Sequence, residues 1–277
     1  MESNELTVVI VTFKSEDKIF SCLDSIPTNV TVIVVENSND SNFKYLIENK
    51  YSNVRCILSG DNKGYAVGNN IGLKRVSTKF ALVLNPDATL EKNTINNFFD
   101  SIKKIQDFWL IGPANSQSKK YDYLNDDFKE VDNLKGFAIF LNLEKFNNNF
   151  FDENFFLFFE EIDLCKKVKR EGGKIFLNKN IIINHEGSSS VKKEKKIELE
   201  INRNWHWMWS TFYFHKKYKG FIFALLIIMP KLFTSVFKFI YFKIVKNKEK
   251  RDIYFSRMSG IINSILGKKS WFRPSLD

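Results

Sequence analysis

An α/β fold on a mostly parallel sheet flanked by helices is what this 277-residue sequence predicts. Three observations predict it. Short apolar runs rich in β-branched residues alternate with helical stretches over residues 6–87, the pattern of βαβ units. The runs are apolar at consecutive positions, so each strand is expected to be buried on both faces. A polar cluster then follows each run, at the strand ends where open parallel sheets bind ligands.

The elements follow in order. Leu6–Thr12 predicts the first strand. A helix comes next, with Ser15 as candidate N-cap and Ile19, Cys22, Leu23 and Ile26 on one face. Thr31–Val35 predicts a second strand, ending in Glu36-Asn37-Ser38, and residues 41–50 a helix. Val54–Leu58 predicts a third strand, followed by the loop Ser59–Gly64 and a helix over Ala66–Val76. Lys79–Leu84 predicts a fourth, ending in Asn85-Pro86-Asp87. Further on, Ala138–Leu141 and Ile181–Asn184 read as strands. The polar stretch 114–133 has little periodicity and reads as a surface loop.

Charge divides the chain. Residues 192–277 hold 19 Lys+Arg against 6 Asp+Glu, while residues 1–191 hold 23 against 26. The basic part also carries four of the five Trp and the most apolar run, Gly220–Met229. Cations mixed with aromatic rings suit an anionic membrane surface. Nucleic acid is the rival partner and is not expected, because long apolar runs do not serve a surface that tracks phosphates. A solvated basic face on a helical subdomain is the plain alternative. Pro230, Lys231, Lys238 and Lys243 interrupt the apolar stretch, so its unbroken part falls short of the roughly 20 residues of a span. An interfacial helix or a shallow helical hairpin is expected instead. Two domains follow, 1–200 for the sheet and 201–277 for the helical extension.

Other classes are excluded by what is missing. The three cysteines, Cys22, Cys56 and Cys165, form no CxxC pair, against both a disulfide framework and a zinc ribbon. The acidic N-terminus lacks the basic segment of a cleaved signal peptide. No GxGxxG follows the first strand, and no GxxxxGKS or GxxxxGKT occurs, so a nucleotide would be held in another way.

Three constellations can carry chemistry. Asp87 sits just past a buried strand, stiffened by Pro86; a Mg2+ ligand and a helix cap both fit. Glu160, Glu161 and Asp163 lie against the aromatic run Phe155–Phe159. Carboxylates in apolar surroundings have raised pKa values that suit a general base, yet an acidic first helical turn explains the same residues through the helix dipole. In a helix, Glu160 and Asp163 share a face and Glu161 points elsewhere. His185 ends a short strand beside a Gly-Ser loop and fits either a metal or phosphate ligand or a structural histidine. His206 and His215, in the aromatic tail, read as structural.

The successive runs VVIVTF, VVENSND, GDNKGYAVGNNIGLK, FALVLNPDATL, FFDENFFLFFEEIDLCKKVKREGGKI and NHEGSSS resemble glycosyltransferase family 2 over about residues 5–190, most of all its rhamnosyltransferase-like branch. RNWHWMWSTFYFHKKYKG is similar to the basic-aromatic tail of that branch. The resemblance implies a GT-A fold, with a Rossmann-like nucleotide-binding half and an acceptor half. It implies inverting transfer from a nucleotide-sugar to a hydroxyl of a lipid-linked or polysaccharide acceptor, in cell-surface glycan synthesis. The enzyme would be peripheral on the cytoplasmic face of the membrane.

The resemblance also assigns residues. Thr12, Phe13, Glu36, Asn62, Gly64, Tyr65, Ala66 and Asn69 would line the nucleotide-sugar pocket, with Asn85 and Asp87. Asp87 and His185 would hold Mg2+ or Mn2+. Gly136 would border the acceptor, and Glu161, Asp163 and Glu160 would be the catalytic acids. Two positions depart from the family pattern. Glu36 and Glu161 stand where Asp is usual, keeping the charge and adding one methylene of reach. Two alternatives remain beside this reading. A nucleotidyltransferase would need a Gly-rich basic loop after the first strand, which VTFKSEDK does not provide. A catalytically impaired relative that binds nucleotide-sugar or scaffolds a complex draws its support from the two Asp-to-Glu changes.

Overall fold

The computed structural model describes residues 5–105, 107–113, 127–185 and 193–273. The chain divides into two compact units. The first comprises residues 1–152 and 160–187, and the second residues 153–159 and 188–277. The boundary expected at residue 200 would cut through a continuous helix, Lys193–Lys219.

The first unit is built on an eight-stranded sheet. Its strands are β1 (Leu6–Thr12), β2 (Thr31–Glu36), β3 (Val54–Leu58), β4 (Phe80–Leu84), β6 (Leu110–Pro113), β7 (Phe128–Glu130), β8 (Ala138–Asn142) and β9 (Ile175–Asn178). They lie in the order β3-β2-β1-β4-β8-β6-β9-β7. The first four run parallel, β8 is antiparallel to both β4 and β6, β9 runs parallel to β6, and β7 is antiparallel to β9. A small antiparallel pair joins β5 (Ala88–Leu90) to β10 (Ile183–His185), with Ala88 opposite His185. Part of the loop expected over 114–133 is therefore a strand, β7; residues 114–126 lie outside the described residues.

The strands are consecutively apolar because both faces are covered. Along β4, Phe80, Leu82 and Leu84 enter one core while Ala81 and Val83 enter the other. In β8, Ala138 and Phe140 divide from Ile139 and Leu141 in the same way. Helices α1 (Glu16–Asp24), α2 (Ser41–Lys50) and α4 (Thr94–Lys104) pack in the first core, through Ile19, Cys22, Phe43, Ile47 and Phe98 among others. Helices α3 (Gly64–Leu73) and α5 (Glu160–Arg170) pack in the second, through Ala66, Leu73, Leu164 and Val168. Ser15 occupies the N-cap position of α1 without a side-chain hydrogen bond, whereas Asp40 caps α2 by accepting from Asn42 N and Phe43 N.

Glycine spacing explains how α3 sits. A Cβ on Gly68 would stand 2.7 Å from Val11 Cγ1 on β1, and one on Gly72 would meet Val9 and Val35. One turn of helix apart, these glycines let the helix backbone approach the sheet. The helix starts two residues earlier than expected, at Gly64, whose φ of +82° only glycine adopts at little cost. Asn62 Oδ1 accepts from Gly64 N at 3.1 Å and shapes the turn before it.

The second unit holds α6 (Lys193–Lys219), α7 (Phe221–Ile244) and α8 (Lys248–Ile265). Met208, Phe212, Ala224, Ile228 and Ile261 form its core. Gly260 lets α8 close on the Trp205 backbone of α6. His206 is fully buried; its ring pairs with Ser270 Oγ at 2.8 Å and Phe272 O at 2.9 Å. Burial lowers its pKa to about 3, so it stays neutral and structural. The segment 153–159 belongs to this unit: Ser210 Oγ donates to Leu157 O at 2.9 Å, and Phe158 and Phe159 lie against Trp207. Both phenylalanines have left-handed backbones, with φ of 71° and 74°.

The apolar stretch does not break at Pro230. It runs through it as the single 24-residue helix α7, with a mean hydropathy of 1.8. Among the described residues, α7 is the one helix long and apolar enough to cross a membrane.

Candidate active site

The parallel strands β1, β2, β3 and β4 end on one edge of the sheet, and antiparallel β8 begins there, since Leu84 pairs with Ala138. Topology thus gathers Thr12, Glu36, Asn85 and Gly136 on a common edge. Three groups of side chains stand along it.

The first group lies at the ends of β1 and β2. Thr12 and Asn69 are buried, and Thr12 Oγ1, Asn37 Oδ1 and Asn69 Oδ1 lack a hydrogen-bond partner. Asn37 Nδ2 donates to Gly64 O at 3.1 Å, tying this edge to the start of α3. Glu36 is buried and turned onto its own loop. Its Oε1 accepts from Ser38 N at 2.7 Å and from Ser38 Oγ, and its Oε2 from Asp40 N at 2.7 Å. A carboxylate can accept about four hydrogen bonds, so capacity remains for a ligand. Phe13 is half-buried, and Ala66 lies wholly inside the second core.

The second group joins β4 to β10. His185 Nε2 lies 3.2 Å from Asp87 Oδ1 and 3.4 Å from Asn85 Nδ2. Asn85 and His185 are 100 residues apart in chain order, and the β5–β10 pairing brings His185 to both Asn85 and Asp87. Burial works against ionisation of Asp87, but the hydrogen bond and charge of His185 outweigh it, with help from Lys18, and its pKa is lowered. Phe137 stacks on the His185 ring at 4.7 Å and 14°. Its carbonyl accepts from Asn85 N at 2.8 Å. Cys22 Sγ lies 3.6 Å from Asn85 O.

The third group surrounds Gly136. The Tyr65 hydroxyl donates to Gly136 O at 2.6 Å. The space in front of Gly136 is bounded by Glu161: a Cβ there would touch Glu161 Cβ and Cγ at 3.4 Å and Cδ at 3.5 Å. Glu160 and Asp163 share the buried face of α5, at 3% and 1% exposure, while Glu161 is only partly buried. Burial raises the pKa of Glu161. Burial and then the charge of Glu161 push Glu160 up to about 8, and Glu160 Oε1 is unpartnered. Tyr65 is held well above its usual value by burial and by these two acids.

Adjacent residues link the last two groups: Gly136 faces Glu161 and Phe137 stacks on His185. Phe137 and Lys18 carry no sequence signal of this role. One is an aromatic among 28 Phe, the other a lysine among many, and only tertiary structure shows what they lie near.

A divalent cation fits the second group. Asp87 offers a hard oxygen and His185 an imidazole nitrogen at the joined ends of two strands. Among the described residues no third His, Cys, Asp or Glu joins them.

The sequence signature of glycosyl transferase family 2 matches residues 7–165, and the chain belongs to that family. Low-salt glycan biosynthesis hexosyltransferase Agl10 of Haloferax volcanii is 26% identical to it over 195 residues. That match covers 61% of this chain and 62% of the relative, so the chain spans less than two thirds of the length of that curated relative. Among solved structures, mannosyltransferase PcManGT from Pyrobaculum calidifontis, in complex with GDP-Man and Mn2+, is similar with a TM-score of 0.60 at 12% identity. It covers 96% of this chain and 88% of that one. GalNAc-T7 with UDP, GalNAc and Mn2+ is similar with a TM-score of 0.54 at 12% identity, over 77% and 50% of the two chains. The fold is GT-A, as in these solved structures.

Proposed function

We propose that this chain is an inverting, metal-dependent hexosyltransferase that moves a sugar from a nucleotide-sugar to a hydroxyl of a lipid-linked or polysaccharide acceptor. Rhamnose from a dTDP donor is the first candidate, from the branch its motifs resemble. Synthesis of a cell-surface glycan is the setting, with the enzyme peripheral on the cytoplasmic membrane face; the glycan-biosynthesis hexosyltransferase among its relatives supports a role of this kind.

The observation that carries the reading is the placement of Glu161. It is the partly exposed acid of the three, it lies against Gly136, and the residue after Gly136 is Phe137, the ring that supports His185. A general base must touch the hydroxyl it deprotonates. Glu160 and Asp163 are buried, so Glu161 is the base. Gly136 lies beside it, where a Cβ would be in ordinary van der Waals contact with the Glu161 side chain.

In the reaction, the acceptor oxygen attacks the anomeric carbon as the bond to the diphosphate oxygen breaks. The hydroxyl proton passes to the Glu161 carboxylate, and the nucleoside diphosphate departs. Asp87 and His185 would hold a Mg2+ or Mn2+, which would supply charge neutralisation for that leaving group. Asn85 hydrogen-bonds at this corner and orients His185. Thr12, Phe13, Glu36, Asn62, Gly64, Tyr65, Ala66 and Asn69 form the nucleotide side, where buried acceptors of Thr12, Asn37 and Asn69 await partners. Tyr65 and Ala66 contribute there as part of the α3 framework.

Thermal shift against a panel of GDP-, UDP- and dTDP-sugars, with and without Mn2+, tests the reading. One donor should raise the melting temperature only with metal, by the equivalent of about 2.7 kcal/mol at a hundredfold excess over Kd. Asp87→Ala should abolish the shift. A folded sample that responds to no donor would sink the proposal.

A further inference from the structure

The open face of α7 is apolar from end to end. Ile222, Leu226, Phe233, Phe237, Ile240 and Ile244 are between 50% and 73% exposed. Their spacing of four, seven, four, three and four residues places them in one stripe at 3.6 residues per turn. The opposite side, Ala224, Ile228 and Ser235, is buried in the helical unit. Around the helix, Lys243 lies about 90° and Lys238 about 130° from the middle of the stripe, while Lys231 falls toward the buried side. More cations lie beyond both ends, at Lys216, Lys217 and Lys219 and at Lys246, Lys248, Lys250 and Arg251.

We propose that α7 lies in the plane of an anionic lipid leaflet, with this stripe among the acyl chains and the lysines among the phosphates. This rests on the peripheral membrane setting above and names the face and the lipid. Length and hydropathy alone would equally allow α7 to span. Its neighbours decide against that. Near its end, Phe242 stacks on Tyr254 of α8 at 5.6 Å, Lys238 Nζ donates to Tyr254 OH at 3.1 Å, and Phe239 meets Phe255. At its start, Phe212 of α6 meets Phe221. The helices packed along α7 carry Glu198, Glu200, Arg203, Lys250, Arg251, Asp252 and Arg257. A spanning α7 would draw these charges into hydrocarbon, which is costly for each of them. An in-plane α7 leaves both neighbours on the water side and buries only the stripe.

The full chain would be floated with vesicles of phosphatidylcholine alone and with added phosphatidylglycerol. Binding should require the anionic lipid and fall at least tenfold from 0.1 to 1 M salt. Leu226→Glu with Phe237→Glu should lower it at least tenfold while leaving circular dichroism and donor hydrolysis unchanged. Leu226→Cys offers a second readout, because the three native thiols are buried. A polarity-sensitive dye placed there should shift to the blue on anionic vesicles. Absent binding, or carbonate-resistant binding with Lys246 protected across the bilayer, would overturn the proposal. So would a dimer in sedimentation that Leu226→Glu dissolves, since a second copy would then cover the stripe. Loss of donor hydrolysis with intact vesicle binding would instead count against the catalytic reading alone.

Discussion

Glu160 and Glu161 are neighbours in sequence with different fates. Helical geometry turns Glu160 inward beside Asp163 and leaves Glu161 against Gly136. Glu161→Gln is expected to lower kcat by about 10²–10⁴-fold with little change in donor KM, the usual weight of a general base. Because burial raises its pKa, the acidic limb of the wild-type rate profile should lie above the ordinary 4.5, and the variant should lack that limb. Glu160 acts on stability. Its folded pKa of about 8 lies above the unfolded value near 4.5, so the folded chain holds the proton more tightly. That contribution is fully present below 4.5 and is lost as pH rises through about 8. Glu160→Gln keeps a neutral side chain at every pH. At pH 9 it should melt higher than wild type by roughly 2–4 °C, about 1 kcal/mol, with no gain at pH 4. A lower melting point at pH 9 would mean that the ionised carboxylate has found a partner.

Among the elements, α3 depends most on single atoms. Gly68→Ala would set a methyl 2.7 Å from Val11 Cγ1, and the strain should cost about 1–3 kcal/mol. Val11→Ala in the same chain should recover much of that loss, as a denaturant-melt double-mutant cycle would show; additive losses would mean the contact is not the cause. The motif containing these glycines was legible as a loop-to-helix turn, though its packing role was not. Sequence shows where a side chain is missing, and only the facing strand shows why. β7 illustrates the same limit. Its three residues pair at the sheet edge with β9, far away in sequence, and short edge strands have little periodicity of their own. Pro230 sits inside α7 without ending it. It removes one donor, but neighbouring turns of α7 and its contacts with α6 and α8 carry the helix through.

For the molecule as a whole, the cysteines give a direct check. Cys22, Cys56 and Cys165 are all buried, and burial pushes each thiol up to about 12. The native chain should be inert to a thiol reagent at pH 8, should release three equivalents once unfolded, and should melt at the same temperature with or without reductant. One fast-reacting thiol would show that a covering element opens easily. The division into two units also shows how little chain order says about proximity: residues 153–159 leave the first unit, join the helices of the second, and return at Glu160.

The sequence by itself determined the parallel strands, because doubly buried strands need consecutive apolar residues, and it marked their polar ends. It marked the family through motifs whose glycines, asparagines and acids have few other uses in that order. Tertiary structure decided the rest. Asp87 meets His185 through the β5–β10 pairing, Phe137 faces His185 because β8 runs against β4, and Glu161 is set apart from Glu160 and Asp163 by the burial of one helical face. Each depends on a neighbour distant in the chain, and a local pattern records which residues can be buried without recording what they are buried against.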